Sequence, residues 1–471
     1  MFTSFRDPAG SVLVTEDRVL RSVNMTGEAN LNAFLASRIA KGFVESGVLV
    51  RTTRVGSAGP FTNQFRPERQ GRENRVTLEH ERIPFPNFPY EWPPEMLFQA
   101  ASLTLDLAEQ ALTEGFGLKD ATPYNILFRG TRPVFVDLLS FEQRDPRDPI
   151  WLPYAQFQRT FLLPLLINRF FSVDLHQLFL TRCDGLNPEE VYRLCGAWRK
   201  LRRPFLTLVS IPVWLEARSP RKSALYNPRR LKTTSDATHV LGQLFRFIRR
   251  QLKDVEPVEH HTSKWQDYMN PRHDFDMNYV WKKELFVRQA LDEFRARRVL
   301  DVGCNTGYFS RSAARVGATV VAIDRDPAVV GDLWREVHSD GADILPLVVD
   351  FARPSPSVGW RNSENLSFLE RAHGSFDLLL MLAIVHHLLV SERIPLEEIL
   401  GLAADLTSDL LVIEFVAPDD PMFTTLTRGR ESLFDKLTNE SFREACTKRF
   451  HIIRSQQLDP KSRWLYLLKK K

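Results

Sequence analysis

A glycine-containing turn follows an apolar segment in the C-terminal half of the sequence. Residues 299–309 read VLDVGCNTGYF, so that Asp301 ends the apolar run and Gly303 and Gly307 follow it. Glycines allow the backbone to turn sharply and to approach a ligand closely. At the carboxyl ends of parallel strands, a turn of this kind is typical of a nucleoside-binding site.

Two further carboxylates end the next apolar segments. Asp324 can accept hydrogen bonds from both hydroxyls of a ribose, and Asp350 can accept one from the amino group of an adenine while Phe351 packs on the base. Acids at neighbouring strand ends would repel a pyrophosphate, and the sequence after the first turn lacks a phosphate-binding arginine or P-loop lysine. The pattern therefore favours a nucleoside without phosphates; another ligand on the same fold is the alternative.

Candidates for proton transfer stand further along the chain. Met381 begins a segment that leads to His386 and His387, and Glu414 ends the next apolar run. A general base is needed only where an acceptor must lose a proton. We expect one of the adjacent histidines to act as that base, with Glu414 orienting it or holding the acceptor. Packing or capping at the start of a helix is the alternative role for each histidine.

A second group of polar residues lies in the N-terminal half. Asp120 precedes Asn125 by five residues, and two short apolar segments then lead to Asp137. This spacing resembles that of the kinase-like phosphotransferases, and the resemblance implies a base and two oxygen ligands for a metal ion, which would serve phosphoryl transfer near a bound nucleotide. The alternative is a turn in which the Asp and Asn side chains satisfy backbone groups.

The apolar pattern predicts the elements that position these residues. After residue 297, short apolar runs alternate with amphipathic segments, which is typical of βα units and a parallel sheet. An antiparallel hairpin is expected at residues 450–454 and 464–468. The predicted parallel strands are residues 298–301, 319–323, 344–349, 376–381 and 410–414.

Length and composition indicate more than one domain. The chain has 471 residues, of which 43% are hydrophobic and 26% charged, as in ordinary globular proteins. A single core rarely serves so many residues. The pattern predicts an α+β domain at 1–150, a mostly helical, basic extension and linker at 151–275, and an α/β domain at 276–471.

The net charge of +5 comes largely from residues 193–253. A basic segment can bind nucleic acid or an anionic membrane, but a solvated face is the interpretation that we prefer.

The four cysteines show no metal-binding spacing, which favours a reducing compartment. The longest apolar stretch, residues 161–167, is too short to span a membrane, and the N-terminus lacks the pattern of a signal peptide. We therefore expect a cytoplasmic protein.

Residues 301–307, DVGCNTG, resemble the first motif of the class I methyltransferases, Asp/Glu-x-Gly-x-Gly-x-Gly. Asn305 replaces the middle glycine, and asparagine tolerates positive φ better than most residues. The resemblance covers about residues 297–470 and implies a doubly wound, Rossmann-like sheet with S-adenosylmethionine as cofactor and no required metal. The cofactor-binding residues that it implies are Asp301, Gly303, Cys304, Asn305, Gly307, Asp324, Asp350, Phe351 and Met381.

Residues 119–125, KDATPYN, and 133–137, PVFVD, resemble the catalytic core of kinase-like phosphotransferases. The resemblance implies that Asp120 is the catalytic base and that Asn125 and Asp137 bind a metal ion. The sequence departs from the pattern because it lacks a glycine-rich nucleotide loop, so a degenerate kinase-like domain used for binding is expected. An active phosphotransferase or a bifunctional enzyme is the alternative.

The whole chain is similar to a group of bacterial two-domain methyltransferases, some of them labelled nodulation proteins. The sequence therefore predicts methyl transfer to an O or N acceptor, with the N-terminal half selecting that acceptor. A small molecule or a glycan is the expected acceptor. An RNA methyltransferase that uses the basic segment 193–253 is the alternative.

Overall fold

The computed structural model describes residues 2–4, 6–15, 17–55, 76–218, 230–258, 277–459 and 462–471. The chain forms two compact units. The first consists of Met1–Val258 with Ser357–Asn365, and the second of Glu259–Pro356 with Leu366–Lys471. Within the described ranges, no helix combines the length and the apolar character that crossing a bilayer requires.

An antiparallel five-stranded sheet begins the first unit, with the strand order β1-β2-β3-β5-β4. The strands are β1 (Phe2–Ser4), β2 (Gly10–Val14), β3 (Val19–Val23), β4 (Thr52–Val55) and β5 (Val76–His80). Two helices, α1 (Met25–Ala36) and α2 (Arg38–Glu45), connect β3 to β4. Ser37 separates them, because its hydroxyl accepts a hydrogen bond from the backbone N–H of Ala40 and caps α2.

Short strands that carry the predicted polar residues follow the sheet. They come after the long helix α3 (Pro94–Ala111), and β6 pairs with β9 while β7 pairs with β8. Their bounds are β6 (Phe116–Leu118), β7 (Ile126–Arg129), β8 (Arg132–Phe135) and β9 (Phe141–Gln143). Asp120 and Asn125 lie between β6 and β7, and Asp137 follows β8.

Helices make up most of the remainder of the first unit. Two π-helical turns, at Gln158–Leu162 and Leu206–Ser210, interrupt them. The α-helices are α4 (Tyr154–Phe157), α5 (Leu163–Phe171), α6 (Leu175–Thr181), α7 (Pro188–Leu194), α8 (Ala197–Lys200), α9 (Ile211–Arg218) and α10 (Thr234–Asp254).

The second unit is built on a seven-stranded sheet with the order β12-β11-β10-β13-β14-β16-β15. Its strands are β10 (Arg298–Val302), β11 (Thr319–Asp324), β12 (Ile344–Val348), β13 (Phe376–Met381), β14 (Thr407–Val416), β15 (Phe450–Asp459) and β16 (Arg463–Lys470). The first five are parallel, whereas β16 pairs antiparallel with both β14 and β15. The predicted Rossmann-like sheet with a terminal antiparallel hairpin is confirmed.

Helices pack on this sheet and keep its strands buried. Every residue of β12 is buried, for example, as expected for a parallel strand that is covered on both faces. The helices are α11 (Met277–Phe294), α12 (Tyr308–Arg315), α13 (Pro327–Asp340), α14 (Phe368–Ala372), α15 (Val385–Val390), α16 (Leu396–Leu406), α17 (Pro421–Thr427) and α18 (Asn439–Thr447).

The strand order reverses beside β10. This strand pairs with β11 on one edge and with β13 on the other, so the chain continues first to one side of β10 and later to the opposite side. The connections on the two sides leave a crevice at the carboxyl ends of β10 and β13. Such a switch point is where doubly wound sheets bind their ligands.

Candidate active site

A cavity of about 1170 Å³, including its open mouth, lies in the second unit at the carboxyl ends of β10 to β13. Most residues that the sequence predicted to bind the cofactor line it, namely Asp301, Gly303, Cys304, Asn305, Asp324, Asp350 and Phe351. Gly307 and Met381 lie outside the lining; Met381 is fully buried at the end of β13.

The turn after β10 adopts left-handed backbone conformations at three positions. The φ angles are 71° at Gly303, 51° at Asn305 and 79° at Gly307. The side-chain oxygen of Asn305 accepts a hydrogen bond of 2.7 Å from the backbone N–H of Thr306. Asn305 thus takes the conformation that glycine usually supplies. A Cβ atom at Gly307 would lie 2.3 Å from Leu333 Cδ1, so that glycine permits the packing of the turn on α13.

Asp324 holds the same turn in place. Its two carboxylate oxygens accept hydrogen bonds of 3.0 Å, one from the backbone N–H of Asn305 and the other from that of Asp326. Burial raises the pKa of Asp324. Each carboxylate oxygen can accept more than one hydrogen bond, so both remain able to bind hydroxyl groups in the cavity.

Asp301 connects β10 to the helix that follows the turn. Its carboxylate accepts a hydrogen bond of 2.6 Å from the hydroxyl of Ser310 in α12. Burial raises the pKa of Asp301 to about 6. Asp301 therefore both lines the cavity and fixes the start of α12 against the sheet.

An ion-pair cluster lies beside Asp350. Arg353 donates to Asp350 over 3.2 Å and to Glu392 over 2.5 Å, and Glu392 also pairs with Arg325 at 3.6 Å. Arg325 and Glu392 belong to the cavity lining, but the sequence reasoning did not single them out. Arg325 follows β11 and Glu392 follows α15, and a sequence pattern carries no signal for such a contact.

The two adjacent histidines of α15 have different surroundings. His387 lines the cavity, whereas His386 is 1% exposed and lies outside the lining. Burial, followed by the positive charges of Arg325 and Arg463, lowers the pKa of His387 to about 4. His387 is therefore neutral at physiological pH and can accept a proton. As expected from their adjacency, only one of the two faces the cavity.

Glu414 lies in a buried ionic network outside the cavity lining. Its carboxylate accepts a hydrogen bond of 2.6 Å from Tyr279 and pairs with Lys283 at 2.7 Å and Arg463 at 3.4 Å. Arg463 also pairs with Asp420 at 2.7 Å. Burial alone would raise the pKa of Glu414, but the cations Lys283 and Arg463 hold it below its ordinary value.

Lys283 is a cavity residue that sequence reasoning missed. It is 5% exposed and lies on α11, with its ammonium 5.3 Å from the centre of the Phe309 ring. A signal was present, because Lys283 has helical spacing from Tyr279, Phe286 and Val287, which are buried. A cation on the buried face of an amphipathic helix needs a partner in the interior, and Glu414 is that partner.

Comparison with known proteins assigns the chain to a family. Residues 273–452 match the family model described as a methyltransferase domain. Nodulation protein NoeA of Rhizobium meliloti (strain 1021) is 30% identical over 468 residues, which cover 98% of this chain and 94% of NoeA. The chain belongs to the NoeA family. Together with the cofactor cavity, the domain match makes it an S-adenosylmethionine-dependent methyltransferase.

Two further comparisons each cover part of the chain. The O-antigen chain terminator bifunctional methyltransferase/kinase WbdD of Escherichia coli is 31% identical over 130 residues, 27% of this chain and 16% of WbdD. The crystal structure of the N-methyltransferase NodS from Bradyrhizobium japonicum WM9 aligns with 41% of this chain and 98% of NodS. That alignment has 14% identity and a TM-score of 0.31.

In the first unit of this NoeA-family methyltransferase, the polar residues of the kinase-like resemblance lie close together. Asn125 donates to the Ser140 hydroxyl over 3.1 Å, and this hydroxyl donates to Asp137 over 2.8 Å. Burial raises the pKa of Asp120, and the negative charge of the nearby Asp137 raises it further. Among the residues that the structure describes, no group of three or more His, Cys, Asp or Glu side chains is placed to hold a metal ion.

Proposed function

We propose that this methyltransferase methylates a hydroxyl or amine group of a small molecule or glycan, and that His387 accepts the proton of that group. The observation that carries the proposal is the position of a neutral histidine in the wall of the cavity that also contains Asp324 and Asp350. At physiological pH His387 is neutral, which is the protonation state that a general base needs before it accepts a proton.

The residues of the cavity fit the cofactor. When bound, S-adenosylmethionine supplies an electrophilic methyl group on a positively charged sulfur. We assign Asp324 to the ribose hydroxyls and Asp350 with Phe351 to the adenine, because carboxylate oxygens accept from hydroxyl and amino groups. Lys283 supplies a positive charge for the carboxylate of the methionine part, and Glu414 holds that ammonium in position.

The distribution of cations supports a small acceptor over RNA. Two basic side chains of segment 193–253 have acidic partners within the first unit: Arg230 pairs with Asp145, and Arg249 pairs with Asp106 and Glu109. These pairs reduce the charge that the segment can offer to phosphates.

We further propose a cytoplasmic location and an N-terminal part, residues 1–150, that selects the acceptor. The four cysteines are free thiols, which supports a reducing compartment. The boundaries at residues 150 and 275 stay predictions.

The experiment is a screen for formation of S-adenosylhomocysteine with small-molecule hydroxyls and amines, glycans and RNA as acceptors. We expect turnover with a small molecule or glycan. With that acceptor, His387→Gln should lower kcat by about 10²-fold or more, the usual contribution of a general base. The affinity for S-adenosylhomocysteine, measured by calorimetry, should remain near the wild-type value.

The control is His373→Gln, which changes an exposed histidine at the end of α14 and should leave kcat unchanged. Turnover with RNA alone would refute the proposed acceptor class. An unchanged kcat in His387→Gln would refute the proposed base and leave the acceptor class intact.

A further inference from the structure

Three short helices of the first unit, α7, α8 and α9, present large apolar side chains to solvent. Trp198 is 79% exposed and Leu201 is 60% exposed. Single exposed apolar residues are common on protein surfaces, but a group of them marks an interaction site. We call this group the tryptophan face; it consists of Leu194, Trp198, Leu201, Ile211, Trp214 and Leu215, all exposed.

Contacts connect the three helices that carry the tryptophan face. The ammonium of Lys200 in α8 lies 3.8 Å from the centre of the Tyr192 ring in α7. The indole N–H of Trp214 in α9 donates to the Tyr192 hydroxyl over 3.3 Å. Ser210, just before α9, donates to the backbone carbonyl of Lys200 over 2.7 Å. The exposed side chains of the three helices therefore lie on neighbouring elements.

The same stretch of chain is strongly basic. Residues 193–218 contain six basic residues and one acid, Glu216. One of these cations, Arg199, packs over the Phe171 ring at 4.7 Å. Arg193, Arg202 and Arg203 are exposed beside the apolar side chains. The tryptophan face thus combines exposed apolar side chains with a positive border.

We propose that the tryptophan face binds the surface of a membrane that contains anionic lipids. Tryptophan prefers the interface between headgroups and acyl chains, and surfaces with an apolar centre and basic border bind anionic lipid bilayers peripherally. Neighbouring Leu194, Leu201 and Leu215 would enter the apolar part of that interface, while arginines contact lipid phosphates.

The composition of the tryptophan face favours lipid over nucleic acid. Bases stack on aromatic rings, and Trp198 and Trp214 would provide such rings. Protein–nucleic acid interfaces are predominantly polar, however, and the exposed leucines would have no base to stack on. Their burial in lipid gains the hydrophobic free energy that contact with nucleic acid would not provide.

The test is co-sedimentation of the full chain with phosphatidylcholine vesicles, with and without phosphatidylglycerol, at physiological ionic strength. We expect binding to the anionic vesicles. The double variant Trp198→Ser/Leu201→Ser should reduce the partition coefficient at least about tenfold, because it removes two large apolar side chains from the contact. Circular dichroism melting confirms that each variant folds as the wild type does.

A matched control is Trp360→Ser, which removes a comparably exposed tryptophan of the first unit outside the tryptophan face. This control should bind vesicles as the wild type does. The charge variant Arg193→Gln/Arg202→Gln should lose about fivefold in partition per cation on anionic vesicles. The same variant should leave any weak binding to neutral vesicles unchanged.

Three results would overturn the proposal. The first is absence of binding to anionic vesicles, or binding that is equally strong without phosphatidylglycerol. The second is binding of a short single-stranded RNA that depends on Arg193 and Arg202, without vesicle binding. The third is a dimer in sedimentation velocity that the Trp198→Ser/Leu201→Ser variant abolishes, because a second copy of the chain would then cover the tryptophan face.

Discussion

The guanidinium of Arg21 on β3 lies 2.7 Å from the carboxylate of Asp137, and both side chains are largely buried. The second carboxylate oxygen of Asp137 accepts a hydrogen bond from the hydroxyl of Ser140. Arg21 also donates a hydrogen bond of 3.2 Å to His80. The acid that the kinase-like resemblance assigned to a metal ion therefore has a protein cation as its counter-ion. This arrangement favours a structural role for Asp137 in a degenerate domain.

We predict that Asp137→Ala destabilises the first unit by about 3–5 kcal/mol, because it leaves the buried charge of Arg21 without a counter-ion. The free energy of unfolding is measured by urea titration of the full chain. Asp145→Ala is the control. It removes pairs with Arg147 and Arg230, which are both more exposed than Arg21, and solvent-exposed pairs contribute little to stability.

The same reasoning predicts how the chain responds to a nucleotide. Because Asp137 is engaged by Arg21 and Ser140, ATP with magnesium should leave the melting temperature of the wild type unchanged. A magnesium-dependent rise with ATP that is lost in Asp120→Ala and Asn125→Ala would contradict this expectation. That result would assign a phosphotransferase-type site to the first unit.

The sequence predicted the elements of the second unit because parallel strands buried on both faces appear as apolar runs. It also predicted which acids meet at the sheet edge. Asp301, Asp324 and Asp350 lie at or just beyond the carboxyl ends of consecutive strands, and those ends lie side by side in a parallel sheet. Positions relative to strand ends follow from chain direction alone, so these residues could be brought together without a structure.

Contacts between distant side chains could not be predicted in the same way. Hydrophobic spacing places Lys283 on the buried face of α11, but it does not specify Glu414 on β14 as its partner. Similarly, adjacent residues of a helix point about 100° apart. The sequence alone therefore indicated that one of His386 and His387 faces the cavity, but the packing of α15 decides which one.

His386 should make stability depend on pH. Burial, followed by the electrostatic effects of His387 and Arg463, lowers its pKa to about 3, although Glu414 and Asp420 act in the opposite direction. The folded chain keeps His386 neutral, whereas the unfolded chain binds a proton near the ordinary pKa of 6.5. The contribution of His386 to the free energy of unfolding is therefore fully present above pH 6.5 and is lost as the pH falls toward 3.

We predict that the difference in unfolding free energy between His386→Leu and the wild type depends on pH. It should change by about 2 kcal/mol in favour of the variant when the pH is lowered from about 7 to about 5. The sign follows because only the wild type must keep this buried imidazole neutral in acid. Urea titrations at both pH values measure the difference. His373→Leu, at an exposed position, should keep the same difference from the wild type at both pH values. A difference for His386→Leu that does not vary with pH would contradict the buried, neutral state.

The left-handed conformation of Asn305 provides a test of the cofactor turn. A β-branched residue at φ 51° is strained by about 1–3 kcal/mol, so Asn305→Val should weaken binding of S-adenosylhomocysteine about tenfold or more in calorimetry. Asn305→Gly keeps this conformation accessible and loses the hydrogen bond that the side chain accepts from the Thr306 N–H, so its affinity should stay within about fivefold of the wild type. Asn362→Val introduces a similar strain at φ 52° in the first unit and should leave the affinity unchanged. If Asn305→Val bound the ligand as the wild type does, the turn after β10 would not contact the cofactor.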